Sequence, residues 1–589
     1  MLTALLLAAS LASAGTPALP PTIPWDGASR SLAVPANDPW VTPSEATGFR
    51  TTPRYDETVA YLRRLVAASR NLQMVSIGKS PEGRDIWMVI ASADRAFTPD
   101  AMRRSGKPIV LAQAGIHSGE IDGKDAGLML LRDMTVRGTK RELLAGANLL
   151  FVPIFSVDAH ERFSRFSRIN QRGPEEAGWR NTAGNLNLNR DYMKADTLEM
   201  RAMLNAINRW TPDLYVDLHV TDGADYQYDV TYGWNGTSAQ SPSIARWLDA
   251  TFRPSVDGAL KIAGHIPGLM IFTDDPITGI NDGNSDPRFS TGYGDARHLP
   301  SILVENHSLK PYDQRVLGTY VFLEQTLRVV GANGPSLRAA AEEDRTRRAK
   351  SVPLSWRVPD GEAAQIEILG VESRQVLSPI SGGLRTEWLG RPVTSMAPLR
   401  VGSQVVTTIS RPAAYWIPPV WREVIERLDL HGIRYERIST PRTIEVSMYR
   451  LSKPVYATQQ FEGHVRVTAT PAVERRQESF PPGSVRVPTD QPLGTLAVLL
   501  LEPASTDSLF QWGFFHSILS PTEYVEAYIM EPMAEKMLAE DPQLAEEFRQ
   551  KIATDAAFRG NARERLQWFY RKTPFYDERA LLYPVGREE

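Results

Sequence analysis

From residue 56 onward, apolar positions recur at helical spacing: Val59, Leu62, Leu65 and Val66 share one face of a helix predicted over 57–68. Short apolar runs follow at 72–77, 86–91, 109–112, 149–154, 214–218 and 302–304, each of a length that suits a buried strand. Between several of them the helical period returns, over 126–134, 198–210 and 243–252, and a helix over 316–330 closes the series. Strands alternating with helices over 54–335 predict an α/β/α sandwich around a largely parallel or mixed sheet. At 331–351, GANGPS leads into a charged stretch that reads as a linker or solvated helix. Alternating runs at 364–369, 404–409, 442–448 and 464–470, divided by Gly and Pro, predict a β-rich second domain over 352–503 with a short helix at 421–430. Helical spacing resumes at 523–538, 542–553 and 562–571, so 504–589 reads as a helical C-terminal region. Residues 15–53, rich in Pro, Thr, Ser and Ala, read as an extended lead-in.

The first fourteen residues, MLTALLLAASLASA, are apolar and end in Ala12-Ser13-Ala14, the small-x-small pattern of a signal-peptidase site. No Lys or Arg precedes the apolar run; the competing readings are a mis-assigned start or a disordered leader. Taken as a cleaved signal over 1–14, the stretch implies a chain exported to the periplasm or secreted, mature from about Gly15. No other apolar run reaches the roughly 18 residues of a membrane helix, so no span is expected in the mature chain.

Composition narrows the chemistry. With 42% hydrophobic and 23% charged residues the chain is an ordinary globular protein. Lys+Arg 66 against Asp+Glu 69 leaves a formal charge of −3, so no global field recruits nucleic acid. Cysteine is absent, which excludes disulfides, thiolate metal sites and thiol nucleophiles. A metal must be held by His, Asp and Glu, and there are only nine His.

The stretch PIVLAQAGIHSGEIDGKDAGLMLL (108–131) is a strand, a Gly-containing loop carrying His117 and Glu120, and a helix. His-x-x-Glu lets one turn direct an imidazole nitrogen and a carboxylate oxygen at one cation; the bland reading is a surface His beside a helix N-terminal Glu. PDLYVDLHV (212–220) places His219 at the end of a buried-type strand, where a packed, hydrogen-bonded His is the alternative. Together the three residues form a two-His-one-Glu set, the open zinc site of a hydrolase. PSILVENH (300–307) ends another strand with Glu305, a carboxylate able to take a proton from the attacking water and deliver it to a leaving amine, unless it merely pairs with an Arg such as Arg297. RNTAGNLNLNRDY (180–192) supplies Asn and Arg, suited to clamp a carboxylate, or a polar loop capped by its own Asn side chains.

Read in order, these pieces and IGKSPEGRDI (77–86) resemble the zinc carboxypeptidase family, the carboxypeptidase A-like metallopeptidases, over about residues 57–330. The resemblance implies a carboxypeptidase-like α/β/α fold and one zinc per chain on His117, Glu120 and His219, with Glu305 as general base. It further implies Asn189 and Arg190 on the substrate's terminal carboxylate, and Arg180, ten residues before Arg190, at the scissile carbonyl. Three departures stand out: Asn187 replaces the Asp that often orients a ligand His, the loop lacks an Arg before Glu120, and 279–285 lacks the family's mobile tyrosine. Tyr293 is the nearest candidate for it, with Tyr226 and Tyr228 behind. The implied partner is a peptide with a free C-terminal carboxylate. The alternatives are a cell-wall peptide hydrolase or amidase using the same centre, and a non-catalytic binding protein. The seven His outside the ligand set are assigned no chemistry, and Trp512, Phe514, Phe515 and Tyr524 are read as packing residues.

Overall fold

The computed structural model describes residues 19–273, 275–520 and 522–589; the leader over 1–14 lies outside them. Among the described residues nine strands precede residue 307: β1 Leu72–Lys79, β2 Asp85–Ala91, β3 Ile109–Ala114, β4 Asn148–Val152, β5 Leu214–Val220, β6 Val230–Gly233, β7 Pro267–Leu269, β8 Ile280–Gly283 and β9 Ser301–Asn306. All but β8 join one mixed sheet of eight strands in the order β1-β2-β4-β3-β5-β9-β6-β7. The centre of that sheet, β4-β3-β5-β9, is parallel. These four neighbouring strands therefore end on one rim, the place where loops of an open α/β sheet converge on a ligand.

The two faces of the sheet follow the period of a strand. Val110 and Ala112 of β3 pack with the helices Asp122–Met134 and Tyr312–Thr346, whereas Ile109 and Leu111 face the helix Leu198–Trp210. The helix Asp122–Met134 is buried along its whole length. It lies tight on β4 because Gly127 has no side chain: a Cβ there would come within 2.1 Å of the Phe151 ring.

Several elements exceed their sequence-based bounds. The closing helix runs on to Thr346, through Pro335, because the backbone leaves helical geometry at Asn333 and Pro335 then opens a new helical segment. Leu337 and Ala341 on this extension are buried. The later strands are long ribbons: Ala364–Leu377 pairs with Leu384–Gly402, and Arg442–Tyr456 with Val467–Phe480. Much of their surface is exposed on both faces, so the apolar alternation that marks a half-buried strand fades along them. β8 pairs in parallel with Leu384–Gly402, and the C-terminal strand Gly586–Glu588 joins a six-stranded sheet with Ala414–Ile417. Tyr415, Leu428, Leu499 and Phe515 share one hydrophobic cluster with Leu111 and Ile207, so the core continues from the eight-stranded sheet into the C-terminal half.

The lead-in is less extended than its composition suggests. Glu45, in a short helix Pro43–Ala46, is buried against Arg132 at 2.6 Å, and Trp25 donates to the Gly264 carbonyl at 2.7 Å. Among the described residues no helix is long and apolar enough to cross a membrane.

Candidate metal centre

His117 and Glu120 sit in the loop after β3, and His219 is the penultimate residue of β5. One donor atom from each lies within 4.8 Å of the others, and all three side chains are buried. Both imidazoles turn Nδ1 toward Glu120: each lies 3.1 Å from its carboxylate. The Val220 amide donates to the same carboxylate at 3.1 Å. Two imidazole nitrogens and one carboxylate oxygen, converging in a buried pocket, are a donor set that suits zinc and leaves a coordination position open.

The far side of the His117 ring is also held. Asn187 Oδ1 accepts from the Asn189 amide at 2.9 Å, which fixes which end of the Asn187 side chain is oxygen. The same oxygen lies 2.9 Å from His117 Nε2, so that nitrogen carries the proton and Nδ1 presents its lone pair to the centre. Asn187 thus occupies the place where the family's Asp was expected, with a neutral amide instead of a charge. His219 Nε2 lies 2.9 Å from the Asp217 carboxylate, which Gln113 anchors at 2.9 Å. Burial lowers the His117 pKa, favouring the neutral ring. Burial also disfavours a charged His219, but the Asp217 carboxylate outweighs it and raises that pKa well above the ordinary value. For Glu120 burial is overcome by positively charged neighbours, Arg168 among them, and its carboxyl is held well below the usual range.

Glu305 enters through strand register. It pairs with His219 across β5 and β9, and in-register residues of neighbouring strands point to the same face. Its Oε2 is buried and has no hydrogen-bond partner among the described residues. Burial, with repulsion from Glu120, pushes its carboxyl up to about 8 against the pull of His219. The bland alternative fails on geometry: Arg297 donates to Tyr293 at 3.1 Å and to Asn208 at 2.9 Å.

Arg180 donates to Glu120 at 2.9 Å and to Asp222 at 3.0 Å, at the rim of the centre. Arg168 makes the same pair of contacts, at 3.1 and 2.9 Å, and sequence reasoning missed it. Its stem crosses Gly119 so closely that a Cβ there would lie 2.5 Å from Arg168 Cγ. Nothing local in FSRFSRINQR distinguishes Arg168 from its neighbouring arginines. Arg190 lies over the Phe289 ring at 4.4 Å and donates to the Asn189 carbonyl at 2.8 Å. Among the described residues it has no carboxylate partner, and burial with repulsion from Arg288 and Arg180 pushes its pKa down to about 10. The side-chain oxygen of Asn189 is likewise buried without a partner.

Tyr293 is not brought to the centre. Its side chain is buried in the hydrophobic core and its hydroxyl is 2.9 Å from His431 Nδ1, because the helix Ser290–Ala296 turns it toward the helix Arg422–His431. Tyr226 comes nearer: it stacks on His307 with centroids 4.1 Å apart, and Thr221, Thr231 and Glu305 are polar neighbours of its buried hydroxyl. Tyr228 accepts instead from the Leu369 amide at 3.1 Å. Asp295 is taken up by the Gln240 amide at 3.0 Å and Asp286 by Arg288 at 2.9 Å. Of the four C-terminal aromatics, Trp512 and Phe515 are fully buried and Phe514 packs against the core, whereas Tyr524 is exposed.

Comparison with known proteins bears on this arrangement. Residues 58–264 match the family described as zinc carboxypeptidase. Carboxypeptidase 2 of Trichophyton rubrum is 22% identical over 483 residues, covering 78% of this chain and 84% of its own. Among solved structures, carboxypeptidase A of Helicoverpa armigera is 20% identical at a TM-score of 0.35, covering 50% of this chain and 75% of its own. A metallo-carboxypeptidase of Pseudomonas aeruginosa is 17% identical at a TM-score of 0.35, covering 48% of this chain and 70% of its own. The family match contains His117, Glu120, Arg180, Asn189, Arg190 and His219; Glu305 lies beyond it, and its place rests on the register of β5 and β9.

Proposed function

We propose that this chain, a peptide hydrolase of the zinc carboxypeptidase family over residues 58–264, is an exported carboxypeptidase that removes C-terminal residues from peptides with one zinc per chain. When bound, zinc supplies Lewis acidity, lowering the pKa of water and polarising a carbonyl. His117, Glu120 and His219 would hold it, with Asn187 setting the His117 ring orientation. Glu305 acts as the general base: it takes a proton from the attacking water and returns it to the leaving amine as the peptide C–N bond breaks. Arg180 faces the same rim and stabilises the negative charge that develops on the carbonyl oxygen.

The observation that carries the exopeptidase reading is Arg190. A half-buried guanidinium without a carboxylate partner among the described residues is a place prepared for an anion from outside the chain. A charge-assisted pair of this kind contributes about 1.5–3 kcal/mol, or roughly ten- to a hundredfold in kcat/KM. Peptides with an amidated C-terminus are therefore expected to be poorer substrates by that factor, and Arg190→Ala to erase the difference between amidated and free forms. Steady-state kinetics on matched peptide pairs measures both. Equal cleavage of the two forms by the wild type would reject the carboxypeptidase reading in favour of an amidase or cell-wall peptide hydrolase. Loss of activity on both forms by Arg190→Ala, with a lower melting temperature, would make Arg190 a structural residue.

Export rests on the leader alone. Protein recovered from outside the cytoplasm is expected to begin at about Gly15 by N-terminal sequencing; a chain that retains Met1 in the cytoplasmic fraction removes this part of the proposal.

A further inference from the structure

We infer that Glu462, at the tip of a hairpin in the C-terminal half, is a positioning residue of the metal centre, an inference that rests on His117, Glu120 and His219 being the metal ligands. The strands Arg442–Tyr456 and Val467–Phe480 lead into a tight tip at 457–466. There Phe461 and His464 exchange backbone hydrogen bonds at 2.8 and 3.1 Å, leaving Glu462 and Gly463 as a two-residue turn. Both turn residues have positive φ, 53° and 80°. A hairpin of this kind favours Asn or Asp followed by Gly, because a longer side chain in the left-handed region is strained. The chain keeps a Glu there, and the carboxylate has a task.

Glu462 Oε2 accepts from the Asn187 amide at 2.7 Å. No other acceptor meets that amide among the described residues. Asn187 is the residue whose side-chain oxygen holds His117 Nε2. A relay thus runs from the C-terminal half through Glu462 and the Asn187 main chain to the orientation of a ligand imidazole. The tip is fastened independently of Glu462. His464 lies 2.7 Å from Asp196, and the Phe461 ring stacks on Trp512 with centroids 5.9 Å apart.

The test uses the full chain with Glu462→Asn, Glu462→Gln and wild type. Asn suits the turn but is too short to reach the Asn187 amide; Gln keeps the length and an acceptor oxygen. Zinc affinity, by competition with a chelator, is expected to fall about tenfold in Glu462→Asn, the low end for outer partners of metal ligands. It should stay within about threefold of wild type in Glu462→Gln. The melting temperature of metal-free Glu462→Asn should be equal to or above wild type, since the turn is relieved. Affinity and stability moving in opposite directions is a result that a mere hairpin anchor cannot produce. Wild-type zinc affinity in Glu462→Asn, or affinity and melting temperature falling together, would overturn the inference while leaving the zinc site standing. A wild type that takes up no zinc would overturn the site and the inference with it.

Discussion

His117→Ala is expected to hold well under one zinc per chain after dialysis and to lose peptide hydrolysis almost completely. Two donors, Glu120 and His219, would remain of the three, and a catalytic zinc held by two protein ligands dissociates readily. The loss includes the Lewis-acid contribution of several kcal/mol, so kcat/KM should fall by about three orders of magnitude or more. The surrounding fold should survive, because β3 and the helix Asp122–Met134 are held by apolar packing rather than by the ring. Metal analysis and circular dichroism on the same sample separate the cases. A folded variant that retains stoichiometric zinc would show that His117 is not a ligand.

Glu305→Gln should do the converse: keep zinc and fold, and lose about 10²–10⁴-fold in kcat, the range of general acid–base catalysis. Gln matches Glu in shape and can still accept and donate hydrogen bonds, but it takes up no proton. The variant should melt no lower than wild type, since the substitution removes a buried acid whose ionised form burial and Glu120 both oppose. A large drop in kcat at unchanged zinc content and undiminished stability therefore marks a chemical role. Wild-type turnover in this variant would assign the base elsewhere.

Much of the centre was legible before folding. His117 and Glu120 lie three residues apart in one loop, and His219 and Glu305 each end an apolar run that could only be a buried strand. Strand ends gather on one rim of a parallel sheet for reasons of chain direction alone. The tyrosine shows where that logic stops. Tyr293 was the candidate by distance along the chain, yet the helix Ser290–Ala296 turns its side chain toward His431. Tyr226 is the one that comes near Glu305, carried by the chain that follows β5.

What the sequence by itself determined is therefore whatever short-range physics encodes: the periods that separate strand from helix, the exclusion of thiol chemistry, and the donors that end strands. What only the tertiary structure decided is the company those donors keep. Arg168 reaches Glu120 by crossing Gly119, the closing helix runs through Pro335 because Leu337 and Ala341 find a core to bury in, and Glu462 meets Asn187 across 275 residues of chain. None of these pairs shares a window in which periodicity or turn chemistry could speak. Their contact depends on how two distant elements register against one core, and that register follows from the packing of many side chains at once.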